Sequence, residues 1–225
     1  MTDSAWPRNH EGSGSSPLLT ASGVRKAFTR GVWPRRHVHP VLSQVNLRLA
    51  PGEVVGLVGE NGSGKTTLMR ILVGDLRPDD GTVHREGLLG YCPQVPQLYE
   101  RLTCREHLDL FAAAYARNAT ASARAQAELL NTLDFERYAN TRAGELSGGT
   151  AAKLNLALAL LADPPTLLLD EPYASFDWDT YLRFWSIVAA RRESGRGVLV
   201  ISHFAVDRDR FDRIIELRDG VARST

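Results

Sequence analysis

The sequence contains few cysteines and no long apolar run. Cys92 and Cys104 are too few for a disulfide framework, and their spacing differs from that of metal-binding cysteine pairs. No stretch reaches about 18 consecutive apolar residues, the length at which a membrane-spanning helix becomes a candidate. The densest apolar stretch, residues 154–162, is about half that length, and we interpret it as a buried helix. Two cysteines without a framework favour the reducing cytosol.

An excess of charge of one sign is also lacking. The 27 Lys and Arg residues nearly balance the 26 Asp and Glu residues, so the net charge is +1 over 225 residues. This balance provides no whole-protein attraction for nucleic acid or for an anionic membrane, and we expect no nucleic-acid partner. The length is sufficient for one compact domain with a substantial core.

A polar leader and two strands are predicted at the start of the sequence. Residues 1–17 are rich in polar side chains and lack the apolar core of a signal peptide, so we expect a disordered leader. The alternating segments 18–28 and 41–49 predict strands. Residues 29–40 form a basic loop with two prolines, which cannot be a central strand. We interpret this loop as a solvated hairpin tip; the alternative is a docking surface for a partner or for lipid headgroups.

Short apolar strands alternate with helices in the rest of the sequence. This pattern is typical of an α/β fold with a mostly parallel sheet and helices on its faces. Residues 95–145 interrupt the alternation with Ala- and Leu-rich helical segments, so we expect a helical insertion there. The predicted strands cover residues 53–58, 88–92, 166–169, 197–201 and 214–217, and the predicted helices include residues 66–73 and 178–193.

A glycine-rich loop between a predicted strand and a predicted helix is the clearest chemical signal. Gly62 and Gly64 allow backbone N–H groups to approach phosphate oxygens, and the start of the helix favours anions. Lys65 is expected to reach the β- and γ-phosphates of a nucleotide, and Thr66 to offer its hydroxyl to Mg²⁺. The predicted nucleotide-contacting residues of this loop are Gly59, Asn61, Gly62, Ser63, Gly64, Lys65, Thr66 and Thr67.

Two carboxylates follow the apolar strand at residues 166–169. Ligands of open α/β sheets bind at the carboxyl ends of the strands, where these two side chains lie. Asp170 suits the coordination shell of Mg²⁺. Glu171 is one position further and projects differently, so we expect it to act as the general base that activates the attacking water. Together with the phosphate loop, this pair predicts a nucleotide hydrolase.

A third element, the segment 146–150 with the sequence LSGGT, begins 24 residues before Asp170. With all three elements in this order, residues 18–221 resemble the nucleotide-binding subunit of an ATP-binding-cassette (ABC) protein. The resemblance implies a P-loop NTPase core, an N-terminal antiparallel β subdomain and a helical insertion. It divides the chain into a catalytic core with the β subdomain at residues 18–94 and 146–221, a helical insertion at residues 95–145 and a tail at residues 222–225.

The resemblance also assigns roles within the segment 146–150. Ser147, Gly148 and Gly149 are expected at the start of a helix, where they bind the γ-phosphate of ATP held by the opposite subunit. Thr150 departs from the Gln that the family most often has at this position. Because this position flanks the phosphate contacts, we expect little loss from the difference.

Four further assignments come from the resemblance. Gln94 matches the glutamine that contacts Mg²⁺ or the attacking water, and His203 matches the switch histidine near the γ-phosphate. Residues 174–177 match the loop through which two subunits sense one another, although Phe176 is bulkier than usual. Phe28 is expected to stack on adenine, with Trp33 as the competing candidate.

The resemblance implies an ATPase that binds ATP and Mg²⁺ and dimerises around two Mg-ATP molecules. The complete set of site residues permits a homodimer, which we expect. We also expect a separate membrane permease as partner, with the chain in the cytoplasm, peripheral on the inner face of the cell membrane. Residues 98–108 resemble ATPases of bacterial exporters, whereas the 29 residues from Lys65 to Gln94 also resemble metal-ion importers. Export is favoured; the alternative is a soluble ABC ATPase without a permease, such as an iron–sulfur-assembly ATPase.

Overall fold

The computed structural model describes residues 16–30, 37–115, 119–202 and 205–224. Most of the predicted leader, Trp33 and His203 therefore lie outside the described residues. None of the helices in the described ranges is long and apolar enough to span a bilayer. The described strands form one antiparallel sheet and one mostly parallel sheet, which confirms the predicted α/β class.

The antiparallel sheet contains β1 (Leu19–Arg30), β2 (His37–Leu49) and β4 (Asp80–Arg85), in the order β2-β1-β4. Contrary to the prediction of a loop over residues 29–40, the pairing of β1 with β2 continues to Arg30 and His37. Pro40 lies on an edge strand of this sheet and at a register shift in the pairing with β1, which are positions where a strand tolerates proline. The prediction missed β4 because most of its side chains are exposed or half-buried and provide little apolar signal.

The mostly parallel sheet has the strand order β5-β6-β7-β3-β8-β9, and only the pair β8–β9 is antiparallel. β6 and β7 are buried along their whole length, as expected for parallel strands covered on both faces. The carboxyl ends of the parallel strands meet at one edge, where the candidate site lies. The strands are β3 (Val54–Val58), β5 (Leu89–Cys92), β6 (Thr166–Asp170), β7 (Gly197–Ile201), β8 (Arg213–Arg218) and β9 (Val221–Ser224), the last of which occupies the segment expected to be a tail.

Five α-helices are present in the described ranges: α1 (Lys65–Val73), α2 (Cys104–Ala114), α3 (Ala119–Thr132), α4 (Gly148–Leu160) and α5 (Trp178–Glu193). The predictions for α1 and α5 are confirmed, and α2 and α3 lie in the expected helical insertion. Thr103 and Glu106 form a reciprocal capping box that begins α2. Phe184 and Trp185 of α5 are buried in a hydrophobic core. In this core, side chains of α4 and α5 pack against the parallel sheet.

Candidate nucleotide-binding and catalytic site

The phosphate loop connects β3 to α1 and is closely packed. Gly64, the residue before α1, has φ +103°, and a Cβ there would lie 3.0 Å from the carbonyl oxygen of Val41. Gly62 also has a positive φ of +83°, but the space beside it is open. Glycine is therefore required at both positions, and the open side at Gly62 can admit a phosphate group close to the backbone.

Lys65 lies folded against the loop that precedes it. Its Nζ donates to the carbonyl oxygens of Gly59 at 2.8 Å and of Glu60 at 2.9 Å. Burial lowers the pKa of Lys65, whereas the negative charges of Glu171 and Asp170 oppose this shift. The ammonium group is therefore held between the loop and the two carboxylates, a position suited to an anionic phosphate chain.

Asp170 and Glu171 occupy the end of β6 with different environments. Asp170 is only 1% exposed and pairs across the sheet with Ile201, whereas Glu171 is half-buried. Glu171 has φ +49°, a left-handed conformation that is uncommon for a residue with a side chain. The chain therefore turns sharply after Asp170, and the two carboxylates project in different directions.

Gln94, which follows β5, contacts Glu171 directly. Its Nε2 donates to Oε2 of Glu171 at 3.1 Å, across 77 residues of sequence. The contact brings together two of the residues predicted to act on the attacking water. The matched switch histidine, His203, lies outside the described residues, so its place near the γ-phosphate stays a prediction.

The donor set fits Mg²⁺. No group of three or more His, Cys, Asp and Glu side chains capable of holding a metal occurs in the described part of the chain. Mg²⁺ does not need such a cage, because it usually takes one or two carboxylates, phosphate oxygens and water. The groups that would hold it are the carboxylate of Asp170, the hydroxyl of Thr66 and the amide oxygen of Gln94.

Tyr91 of β5 stays neutral beside the site. Burial, with the negative charge of Asp170, raises the pKa of this phenol to about 12.

Ser147 is the N-cap of α4, as the resemblance implies for this element. Ser147 and Gly148 are exposed, and Oγ of Ser147 accepts from the backbone N–H of Thr150 at 3.3 Å. Oγ also shares a hydrogen bond of 2.9 Å with the hydroxyl of Thr150, which is buried. Thr150 therefore does not only flank the expected phosphate contacts. It is also hydrogen-bonded to Ser147, one of the residues expected to make them. An ideal Cβ on Gly149 would lie 2.9 Å from the carbonyl oxygen of Ser175, so this element packs against the loop 174–177.

The loop 174–177 leads directly into α5. The carboxylate of Asp177 accepts from the backbone N–H of Thr180 at 2.7 Å and caps the helix. Phe176 is bulky, but it is half-buried against the core, with its ring 6.4 Å from that of Phe184.

Phe28, the adenine candidate, lies on β1 and is 38% exposed. Nζ of Lys26 lies 5.7 Å from the centroid of its ring.

Sequence reasoning missed two residues beside the site. The hydroxyl of Tyr173 donates to Oγ of Ser202 at 2.8 Å and links the segments that follow β6 and β7. Asn155 lies in α4 and donates to the segment before Gln94. A polar residue within the apolar stretch 154–162 was a signal for Asn155; the sequence contained no comparable signal for Tyr173.

The comparisons with known proteins agree with this geometry. A sequence profile of the family described as ABC transporter matches residues 42–174. The chain is 39% identical over 198 residues to the probable multidrug ABC transporter ATP-binding protein YbhF of Escherichia coli (strain K12), covering 82% of this chain and 32% of YbhF. It is 33% identical over 193 residues to the Nod factor export ATP-binding protein I of Burkholderia orbicola (strain AU 1054), covering 80% of this chain and 64% of that protein.

A solved structure shares the fold over nearly its whole length. It is the dimeric, post-hydrolysis state of the ATP-binding cassette MJ0796 bound to ADP and Pi, which superposes with a TM-score of 0.84 at 26% identity. The alignment covers 92% of this chain and 98% of that one. In contrast, the chain spans between 8% and 64% of the length of the curated relatives compared with it.

Proposed function

This chain belongs to the ABC transporter family, and we propose that it is the ATP-hydrolysing subunit that drives a separate membrane permease. The observation that carries the proposal is the contact between Gln94 and Glu171 at the edge of the sheet that also bears the phosphate loop. A nucleotide-binding protein without hydrolysis needs the loop, but it does not need a carboxylate held beside it by a glutamine.

In the proposed reaction, the loop and Lys65 bind the phosphates of ATP, and Glu171 accepts a proton from the attacking water. Asp170, Thr66 and Gln94 would hold Mg²⁺, which would supply positive charge beside the phosphates. The hydrogen bond from Gln94 orients one carboxylate oxygen of Glu171. A positioned general base of this kind contributes about 10²–10⁴-fold to the rate.

Two observations support a dimer of this chain. Ser147 and Gly148 are exposed at the N-terminus of α4, where N–H groups can bind a phosphate presented from outside the subunit. MJ0796, which has the same fold, is a dimer in its solved structure. We propose a homodimer in which Ser147, Gly148 and Gly149 of each subunit complete the ATP site of the other.

The surface after Gln94 supports a permease partner. Val95 is 72% exposed and Tyr99 is 61% exposed, so this segment presents two apolar side chains to a partner. The backbone N–H of Tyr99 donates to Nε2 of buried His107 at 2.9 Å, so this exposed segment is held in place. A permease segment docked here would contact the residues adjacent to Gln94. Export and a location on the inner face of the cell membrane are part of the proposal, and the relative named for Nod factor export favours export.

The test is ATP hydrolysis by the purified chain and by Glu171→Gln. We expect the wild type to hydrolyse ATP, alone or with its copurified permease, and Glu171→Gln to lose about 10²–10⁴-fold in kcat while forming an ATP-dependent dimer visible by size-exclusion chromatography. The exposed Glu193→Gln is the matched control and keeps wild-type turnover. Absence of hydrolysis in the wild type and of trapping in Glu171→Gln would contradict the ATPase proposal. If the purified chain carries no integral membrane protein with it, that result would favour the alternative of a soluble ABC ATPase.

A further inference from the structure

We propose that Asn155 is a positioning residue that holds the Pro93–Gln94 segment where Gln94 can contact Glu171. The proposal rests on the ATPase function proposed above. Asn155 is in α4, whereas Gln94 follows β5 and Glu171 follows β6, so the inferred role joins three elements that are distant in sequence.

Asn155 is the polar residue within the buried segment 154–161 of α4. The neighbouring residues 154 and 156–161 are all Leu or Ala and all buried, and Asn155 itself is only 7% exposed. An unpaired amide in such surroundings destabilises a protein, so this side chain needs partners. Its Nδ2 donates to the carbonyl oxygen of Pro93 at 2.8 Å and to Sγ of Cys92 at 3.2 Å. The amide nitrogen therefore donates to the two residues that directly precede Gln94.

The position of these bonds explains their importance. The ladder between β5 and β6 ends at the pair Cys92–Leu169, so the backbone beyond Cys92 has left the regular sheet. The carbonyl of Pro93 belongs to the peptide group whose nitrogen is that of Gln94. Asn155 thus anchors the peptide group directly before the residue that contacts Glu171. Sulfur is a weak acceptor, and the bond to Pro93 is the stronger of the two.

The same helix also carries the element expected to face a second subunit. Ser147 caps α4, and Asn155 lies eight residues later, roughly 12 Å along the helix axis. Since a helix moves largely as a rigid body, a displacement of its N-terminus on ATP-driven closure would be transmitted through Asn155 to the Pro93–Gln94 segment. This link connects the interface between subunits with the proposed general base.

The test compares Asn155→Leu, which keeps the volume and removes both donors, with the exposed Asn140→Leu as control. We expect Asn155→Leu to lower kcat about 10- to 100-fold, the range for a displaced catalytic group, while the KM for ATP changes less than about twofold. Asn155→Asp, which cannot donate when ionised, gives a second variant with the same expectation. In the double variant with Gln94→Ala, turnover is no lower than in Gln94→Ala alone, because Asn155 acts through Gln94.

A second readout does not depend on turnover. The NMR order parameter of the Gln94 backbone amide is expected to fall from about 0.85 to below about 0.6 in Asn155→Leu and to stay unchanged in Asn140→Leu. An unchanged order parameter, or losses that multiply in the double variant, would overturn the role of Asn155. If the order parameter falls but the wild type hydrolyses no ATP, the positioning contact stands and the proposed function fails. If the wild type is active and Asn155→Leu is equally active, the positioning role alone fails.

Discussion

The phosphate loop and the Gln94 cluster, which comprises Gln94, Asn155 and Glu171, lie at the same edge of the parallel sheet but are built differently. The loop consists of consecutive residues, and its shape depends on glycines with positive φ and on the start of α1. The cluster is assembled from three elements, and side-chain hydrogen bonds of 2.8–3.1 Å hold it together. We infer that the loop determines how tightly ATP binds, whereas the cluster determines how fast bound ATP reacts.

Removing the ammonium group of the loop is the largest expected perturbation of ATP binding. Lys65→Ala should raise the Kd for ATP roughly 100-fold, because the expected charge-assisted hydrogen bonds from the ammonium group to the phosphate oxygens are lost, and each such bond contributes about 1.5–3 kcal/mol. Isothermal titration calorimetry with the matched variant Arg101→Ala, an exposed cation, measures the effect. A Kd within about threefold of the wild type would break the assignment of binding to the loop.

The adenine contact is expected to change ATP binding by a smaller amount. Base–aromatic stacking contributes about 1–3 kcal/mol, so Phe28→Ala should raise the KM for ATP by roughly 5- to 100-fold. Phe28 is 38% exposed on β1, which leaves its ring accessible to a base. Steady-state kinetics of Phe28→Ala and Trp33→Ala compare the two candidates. A larger rise of KM in Trp33→Ala would transfer the adenine contact to Trp33.

Removing the N-cap of α5 is expected to lower the stability of the protein. Asp177→Ala should destabilise the protein by about 0.5–2 kcal/mol, because the helix loses its N-cap. Two hydrogen bonds from Thr180, one from its side chain and one from its backbone N–H, lower the pKa of the Asp177 carboxyl. The stabilisation is therefore fully present above the ordinary pKa of an Asp and is lost as pH falls through the lower folded value. Thermal melts of both proteins should converge in acid; a constant difference in Tm would contradict this account.

The hydroxyl of Thr150 is expected to have the smallest effect. Thr150→Val keeps the shape and removes the hydrogen bond to Ser147, which should weaken ATP-driven dimerisation by about 1 kcal/mol, or roughly fivefold. Thr150→Ser should restore it. Dimerisation is measured by analytical ultracentrifugation in the Glu171→Gln background, and ATP binding to the monomer is the control. Equal dimerisation in Thr150→Val and Thr150→Ser would show that this hydroxyl does not align Ser147.

The features that sequence predicted well are those encoded in short segments. The strands β6 and β7 are continuous apolar runs, and the helix α5 directly follows Asp177, a residue that can cap it, so their bounds were recognisable. β4 was missed because an exposed strand carries no such run. The start of β2 was predicted to be a loop because proline and basic residues are typical of turns, whereas β2 is an edge strand and tolerates both.

For the candidate site, residue types were predictable, but their mutual contacts were not. Gln94 was identified by its place in a family pattern and Glu171 by its place at the end of an apolar strand, and neither signal states that they share a hydrogen bond. Asn155 has no place in the pattern at all. Its contact with Pro93 arises because α4 packs against the end of β5, which depends on side chains throughout the core.

The amino-acid sequence was sufficient to establish the phosphate loop, the acidic strand end and the α/β class, because glycine spacing and apolar periodicity act over a few residues. The three-dimensional packing was needed to bring Gln94 into contact with Glu171 and to place Asn155 within hydrogen-bond distance of the Pro93 carbonyl. It was also needed to bring the hydroxyl of Thr150 to that of Ser147. Hydrogen bonds between side chains depend on rotamers and distances of tenths of an ångström, and these are defined only when the helices and the sheet have packed together.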